Sequence, residues 1–388
     1  MSLLIKGLEI LFWFSVFVLF YSYILYPVSI FIFARLFKNP ITKDENFFPS
    51  VGVLVPVHNE EAVIRKKIEN IFAIDYPADR LTIWIGSDCS TDSTEKIITE
   101  MNNPRIHLWT APKRSGKTGI VNNLAPLIEA EVLLLTDANT MHRPDCLKAI
   151  VRNFADESVG VVAGHIEHLT NHIKGDDEYG GESIYRIFES RQKIFEGHLH
   201  STISAFGGFY AIRKKLFKTI PPNSYSNDDV LIPMNCIRQG YRVVYEPDAI
   251  SEEDFTGNIQ SEFSRRVRIG AGNYQAFFWL LDFLNPAKGW PFFCYVSHKV
   301  TRWFSPLFLI AIISSCGLLF YFDSHVLYKI LFTTGSILII SSLFYKIIPL
   351  RLTRHIYYFL VMNLALVLGL FHYFSGIKSA AWSRTERS

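Results

Sequence analysis

Apolar positions follow two regimes along this chain. From Leu11 to Phe33 no charged residue occurs, and at a helical rise of about 1.5 Å per residue the run reaches roughly 35 Å, enough to cross a bilayer core. It is too long for a signal-peptide core, and no small-residue cleavage pattern follows Tyr26-Pro27. A second apolar region begins near Phe304 and breaks into Phe304 to Phe322, Val326 to Ile348 and Ile356 to Phe374. Between them the pattern changes to short β-branched runs alternating with helical ones. Val51 to Val57 reads as a strand, followed by a helix from Glu60 with Ile64, Ile68, Ile71 and Phe72 on one face. Leu81 to Gly86 is the next strand, and Asp92-x-x-Glu95 resembles a capping box opening the helix after it. Arg105 to Trp109 is a third strand, Lys117 to Ala130 a helix, and Val132 to Thr136 a fourth strand, apolar enough for burial on both faces. This alternation predicts a parallel, doubly wound α/β sheet.

Composition supports the membrane reading. Of 388 residues 49% are hydrophobic and 32 are phenylalanine, too apolar for an ordinary soluble enzyme. The net charge of +3 is spread without a basic run, so nucleic acid is not an expected partner. Five cysteines, Cys89, Cys146, Cys236, Cys294 and Cys316, have no CxxC or metal-ligand spacing, which excludes a disulfide scaffold and suits a reducing compartment. Arg35, Lys38, Lys43, His298, Lys299, Arg302, Lys346, Arg351 and Arg354 flank the apolar segments so that the positive-inside rule places the central region in the cytosol. The tail with Lys378, Arg384 and Arg387 disagrees if all three C-terminal segments cross. Asp323-Ser324-His325 is read as a short polar turn.

Ligands of open parallel sheets bind beyond the carboxyl ends of the strands. Three such ends carry polar residues: His58-Asn59-Glu60-Glu61, Ser87-Asp88-Cys89-Ser90-Thr91-Asp92 and Asp137-Ala138-Asn139. Each alone is explained by turn or cap preferences, but their convergence on one sheet edge points to a site. Ser115-Gly116-Lys117-Thr118 spells the end of a P-loop, yet Ala111 stands where the first glycine is needed. Asn227 is expected as an N-cap with Asp228 and Asp229 in the first turn of a helix to about Gly240. Neighbouring helical residues lie about 100° apart, so only one of the two carboxylates can face a cleft squarely. Ser204 to Tyr210 sets a glycine pair among aromatics, which suits either a sugar ring or a buried strand and turn. His165, His168 and His172 lack a shared helix face or an acidic partner and are expected to be packed or solvated.

The Pro-Val-His-Asn-Glu-Glu, Gly-Ser-Asp-Cys-Ser-Thr-Asp, Asp137-Ala138-Asn139 and Asn227-Asp228-Asp229-Val230 motifs, in this order, resemble the family 2 glycosyltransferases. The likeness covers roughly Val51 to Gly272 and implies a GT-A fold with a mixed, mainly parallel sheet. It implies a nucleoside site at Val57, Glu60 and Asp88, and a Lys117 near the sugar nucleotide. Asp137 and Asn139 would stand in the family's DxD motif, the first reaching the nucleotide and both holding Mg²⁺ or Mn²⁺. An amide oxygen at Asn139 ligates without adding charge, which lowers the expected metal affinity. Asp229 would be the catalytic base and Asp228 its support. Arg268 falls on the arginine of QxxRW and would face the departing diphosphate, while Arg265 and Ile269 replace the glutamine and tryptophan. The lost tryptophan puts processive synthesis in doubt.

The resulting organisation is an N-terminal membrane helix over 8–36, a cytosolic GT-A domain over 49–255, an amphipathic interfacial connector over 256–303, about three membrane helices over 304–376 and a polar tail over 377–388. The expected reaction is inverting transfer from a nucleoside-diphosphate sugar, UDP-linked, to a membrane-associated acceptor, a lipid-linked glycan or growing polysaccharide, with membrane lipid as a partner. A processive synthase, a non-catalytic sugar-nucleotide sensor and a transporter are the alternatives; the last is opposed by the scarcity of ionisable residues in the membrane segments.

Overall fold

The computed structural model describes residues 2–169, 180–225, 227–254, 259–322, 325–347 and 350–376. The expectations for His172, for the Asp323-Ser324 turn and for the tail with Lys378, Arg384 and Arg387 lie outside them, as does the His168 side chain.

Helices α1 (Ser2–Phe20) and α2 (Tyr26–Leu36) are joined by a π-helical turn at Tyr21–Leu25. Leu3–Leu36 makes a candidate membrane span of 34 residues. That is about 51 Å of helix against a hydrocarbon core of about 30 Å, so one end projects out of the bilayer. The projecting end is α2, whose Tyr26, Ile30 and Ala34 are buried in the same apolar cluster as Leu54, Leu133 and Leu135 of the sheet.

The sheet has eight strands: β1 (Val51–Val57), β2 (Leu81–Ser87), β3 (Ile106–Thr110), β4 (Val132–Thr136), β5 (Thr140–His142), β6 (Val159–Leu169), β7 (Phe209–Arg213) and β8 (Arg242–Asp254), in the order β3-β2-β1-β4-β7-β6-β8-β5. The first four strands pair in parallel, as the βα alternation predicts. The purely parallel reading fails at β7, which is antiparallel to β4 and β6, and at β5, antiparallel to β8. The mixed sheet of a GT-A fold is thus present. The reversal has a functional effect, because it brings the start of β7, Phe209, opposite Thr136 at the end of β4.

Two apolar layers sandwich the sheet. Val51, Val53 and Val55 face one with Ile64, Ile68 and Ile71, whereas Leu54 faces the other. Helix α3 (Ile64–Phe72) starts four residues later than Glu60, because Glu60 is used in a turn whose carbonyl accepts from Val63 and Ile64. Helix α4 (Thr94–Glu100) has Ser93 at its N-cap, so the expected box is displaced: Asp92 accepts from Thr94 N at 3.0 Å and from Glu61 N at 3.2 Å. Helix α5 (Gly116–Leu124) stops before Ala130 and tightens into a 3₁₀ turn at Ala125–Leu127, where Pro126 removes a donor. Helices α6 (Cys146–Val151), α7 (Gly180–Leu199) and α8 (Asp228–Arg238) complete the globular part; α8 ends two residues before Gly240, whose φ is +85°.

Helix α9 (Ile259–Trp279) leads through α10 (Trp290–Cys294) and α11 (Thr301–Trp303) to α12 (Ser305–Phe322), α13 (Val326–Leu343) and α14 (Arg351–Phe374). The last three are long and apolar enough to cross a membrane, as is the N-terminal span. The connector α9 has protein on two sides. A Cβ on Gly272 would overlap the Tyr225 carbonyl oxygen, and one on Gly369 of α14 would sit 2.8 Å from the Ala271 nitrogen. Glycine at these positions lets a helix thread between the catalytic layer and a membrane helix.

Candidate active site

At the ends of β1 and β2 the chain turns through left-handed residues, Asn59 at φ +56° and Cys89 at φ +57°. Val57 is fully buried and its carbonyl accepts from Asp88 N at 2.9 Å, so it offers backbone only. Glu60 is buried, with its amide donating to Thr94 Oγ1 at 2.8 Å. Asp88 has no exposed surface, and its carboxylate is occupied. Oδ1 accepts from Ser115 N at 2.6 Å, and Oδ2 from Gly116 N at 3.0 Å and Arg114 Nε at 3.1 Å. The carboxylate expected to face a nucleoside instead anchors the turn that opens α5. His58 supports the same turn, its Nδ1 at 2.9 Å from the Asp88 carbonyl and its Nε2 against the Arg114 guanidinium. A carbonyl can only accept and a guanidinium can only donate, so His58 is the neutral Nδ1–H tautomer. Burial and then Arg114 lower its pKa, in keeping with that form.

At the end of β4, Lys117 gathers the acidic residues. Its Nζ lies 2.9 Å from Asp137 Oδ1 and 3.3 Å from Asp228 Oδ2, and donates to the Gly207 carbonyl at 2.8 Å. Burial pulls the ammonium down, but Asp137 and Asp228 more than reverse this and its pKa is raised. Asp228 is buried and also accepts from the Tyr210 hydroxyl at 2.9 Å. Asn227 occupies the N-cap position without a capping side chain; its amide donates to Asn273 Oδ1 at 3.1 Å instead.

Asp229 differs from its neighbour. It is partly exposed beside Gly207, where an added Cβ would stand 3.4 Å from its Oδ2. Burial and then the Asp228 charge raise its pKa to about 6, against the opposing pull of Lys117, Lys299 and Lys193. One carboxylate is therefore bound up with Lys117 and Tyr210, while the other is held near neutrality with a proton affinity suited to a base.

Arg268 is not gathered into this cluster. It lines a cavity of about 240 Å³ with Tyr225, Phe263, Ser264, Val267 and His372. Burial lowers its pKa, Tyr225 raises it, Arg265 lowers it and the charge of Asp137 raises it.

A hard divalent cation fits the donor set at Asp137 and Asn139. Asn139 Nδ2 donates to Glu253 Oε1 at 2.7 Å, which leaves its amide oxygen as the group able to ligate. Among the described residues no three acidic, histidine or cysteine side chains form a cage. Mg²⁺ and Mn²⁺ sites made of one or two protein oxygens rely on substrate phosphates for the remainder, which is the arrangement these two residues permit.

The pattern of apolar and polar positions did not single out Lys67, Arg114, Tyr210 or Glu253. Lys67 is fully buried behind the Asp137 turn, donating to Thr136 Oγ1 at 3.0 Å and to the Thr140 carbonyl, with His142 Nε2 at 3.0 Å. Burial lowers its pKa to about 7. Its signal was available: Lys67 lies three positions from Ile64 and four from Ile71, on the apolar face of α3. His165 is packed, with Nδ1 at 2.7 Å from the Tyr245 hydroxyl, and all five cysteines are free thiols.

Residues 52–220 match the sequence model of Glycosyl transferase family 2. The chain is 35% identical over 118 residues to a beta-monoglucosyldiacylglycerol synthase of Nostoc sp., covering 29% of this chain and 25% of that protein. It is 23% identical over 260 residues to a poly-beta-1,6-N-acetyl-D-glucosamine synthase of Staphylococcus aureus, covering 65% of this chain and 60% of that one. It thus spans between a quarter and three fifths of these relatives' lengths. A mannosyltransferase from Pyrobaculum calidifontis, solved in complex with GDP-Man and Mn²⁺, superposes with a TM-score of 0.73 at 20% identity over 94% of this chain and 99% of that one. The strand-end motifs, the mixed sheet and the matched segment agree: the chain has a GT-A fold, and its residues 52–220 are those of a family 2 glycosyltransferase.

Proposed function

We propose that this enzyme transfers a sugar, with inversion, from a UDP-linked donor to a hydroxyl of a membrane-associated acceptor, a lipid-linked glycan or a glycolipid. The observation that carries the reading is the contrast between Asp228, ion-paired with Lys117 and hydrogen-bonded by Tyr210, and Asp229, left with a raised pKa beside Gly207. In this account Asp229 takes the acceptor hydroxyl proton onto its carboxylate as that oxygen attacks the anomeric carbon. Lys117 holds Asp137 and Asp228 in place and meets charge growing on the diphosphate. A divalent cation bound at Asp137 and Asn139 would supply further charge neutralisation to the diphosphate. The buried Asp88 shapes the nucleoside site through Ser115 and Gly116, while Val57 and Glu60 line its floor. Arg268 stands apart, on the seam between α9 and α14.

The basic residues Arg35, Lys38, Lys299 and Arg302 support a catalytic domain on the cytosolic face of a cytoplasmic membrane, where nucleotide sugars are made. Polymer synthesis is disfavoured by Ile269, which offers no stacking platform at the acceptor end. A donor screen of the purified full chain, read as nucleoside diphosphate released with and without lipid extract, tests the proposal. Acceptor-stimulated release from one UDP-sugar is the expected result; no release from any nucleotide sugar, with metal and lipid present, would sink it.

A further inference from the structure

The cavity between α9 and α14 has more donors than acceptors. Among the described residues Arg268 makes no hydrogen bond or ion pair, although it is half-buried and its guanidinium carries five N–H groups and a permanent charge. His372 stacks on Tyr225 at 5.7 Å between ring centroids and an interplanar angle of 30°, yet its ring nitrogens and the Tyr225 hydroxyl have no hydrogen-bond partner among the described residues either. Three polar groups thus converge on one space without satisfying one another. Arg268 and Tyr225 are half-buried and His372 is exposed, so water reaches the space, and an anion that displaces it meets donors already in place.

Size and surroundings narrow the anion. At about 240 Å³ the cavity is smaller than the roughly 300–1,000 Å³ that enclose whole drug-sized ligands, so it admits a headgroup and not a sugar nucleotide. Phe263 and Val267 supply apolar wall, and His372 belongs to the last turn of a candidate membrane span, the level at which lipid headgroups meet water. We infer that Arg268, His372 and Tyr225 form a binding site for the phosphate of a membrane lipid. Arg268 feels the charge of Asp137 of the proposed sugar-nucleotide site. The inference rests on the proposed membrane acceptor and gives it a chemical class: an acceptor carried on a lipid phosphate. A guanidinium fork and an imidazole recognise phosphate oxygens, whereas an uncharged diacylglycerol would leave Arg268 unmet.

The test uses the full chain in neutral detergent, with farnesyl phosphate, farnesol, inorganic phosphate and UDP as separate probes of binding and of thermal midpoint. Saturable binding of farnesyl phosphate is expected, at least tenfold tighter than farnesol, with no response to inorganic phosphate at the same concentrations. Arg268→Gln and His372→Phe should each weaken farnesyl phosphate at least tenfold. The second variant keeps a ring to stack on Tyr225, and a ligand-free thermal midpoint equal to the parent's confirms that each variant folds. Binding unchanged in both variants, or equal for farnesol and farnesyl phosphate, overturns the site. Displacement of farnesyl phosphate by UDP in direct competition overturns it too, since Arg268 would then belong to the leaving diphosphate. UDP binding on the same protein separates the two failures: if UDP binds normally while farnesyl phosphate does not, the lipid-phosphate site is lost and the donor reading stands.

Discussion

Asp229 gives the reading its sharpest test, because its ionisation can be followed in the rate. With a pKa raised to about 6, the free enzyme has roughly nine tenths of this carboxylate ionised at pH 7 and roughly one tenth at pH 5. A carboxylate at the usual value near 3.9 would still be over about nine tenths ionised at pH 5. If the ionised form is the base, kcat/KM therefore falls about tenfold between pH 7 and pH 5, along an acid limb centred near 6. The causes of the shift predict how the limb moves. Burial is the larger and Asp228 the next, so Asp228→Asn removes the repulsion and should carry the limb to lower pH, while an amide oxygen still accepts from Tyr210. Asp229→Asn should reduce transfer by about 10² to 10⁴ and abolish the limb from whatever activity is left, with donor affinity little changed. The assay is nucleoside diphosphate release across pH 4.5 to 8 at subsaturating acceptor, with donor binding measured separately by calorimetry. A limb that stays in place in Asp228→Asn, or survives in Asp229→Asn, would refute the assignment.

Three other outcomes follow from the geometry. Asn139→Asp adds a charged oxygen beside Asp137, so half-saturation by Mn²⁺ or Mg²⁺ should move to lower metal concentration in the release assay; full activity in chelator would remove the metal role. Lys67→Met leaves Thr136 Oγ1 and the Thr140 carbonyl without their buried donor, a loss of about 1–3 kcal/mol that should appear as a lower midpoint in thermal unfolding. Gly272→Ala should cost about 1–3 kcal/mol through overlap with Tyr225, while Gly335→Ala, with open space around it, should leave the midpoint unchanged.

What the sequence revealed and what it hid divide along physical lines. Strands β1 and β4 were legible because continuous burial leaves an unbroken apolar run, β2 because its burial alternates at its start, and the candidate membrane helices because a bilayer core calls for a long run without charge. The orientation of β7 was not, since Phe209–Arg213 looks the same run in either direction and its pairing is set by contacts far along the chain. The acidic residues of the site were visible as types but not as partners. Asp88 looked like a ligand group, yet the amides of Ser115 and Gly116, 27 and 28 residues on, together with Arg114 and the Ser115 hydroxyl, occupy its oxygens. Lys117 was recognised, whereas its simultaneous approach to Asp137 and Asp228 needs the β4–β7 reversal to bring Gly207 alongside.

The candidate membrane helices also take part in positioning Asp229, the proposed base. On one side, Asn227 donates to Asn273, Tyr225 N to Gln275 Oε1 at 2.8 Å, and Gln275 Nε2 to the Asn223 carbonyl at 2.9 Å, so the start of α8 hangs from α9, which is wedged against α14. On the other side, His298 bridges Glu189 at 2.9 Å and Glu196 at 2.6 Å, and Tyr26 of the N-terminal span donates to the same Glu196 at 2.7 Å. Lys193, between those glutamates on α7, donates to the Ser204 carbonyl at 2.6 Å, and the next residue, Ala205, donates its amide to the Asp229 carbonyl at 2.8 Å. Asp229 is therefore held between two hydrogen-bonded chains that both end on membrane-anchored helices. Buried ionic networks of this kind contribute little net stability compared with apolar packing, but breaking one partner is costly, so they favour one arrangement over its neighbours. If Asp229 is the base and the acceptor is membrane-borne, as proposed, each meets the other at a set height without the translational search a soluble acceptor requires.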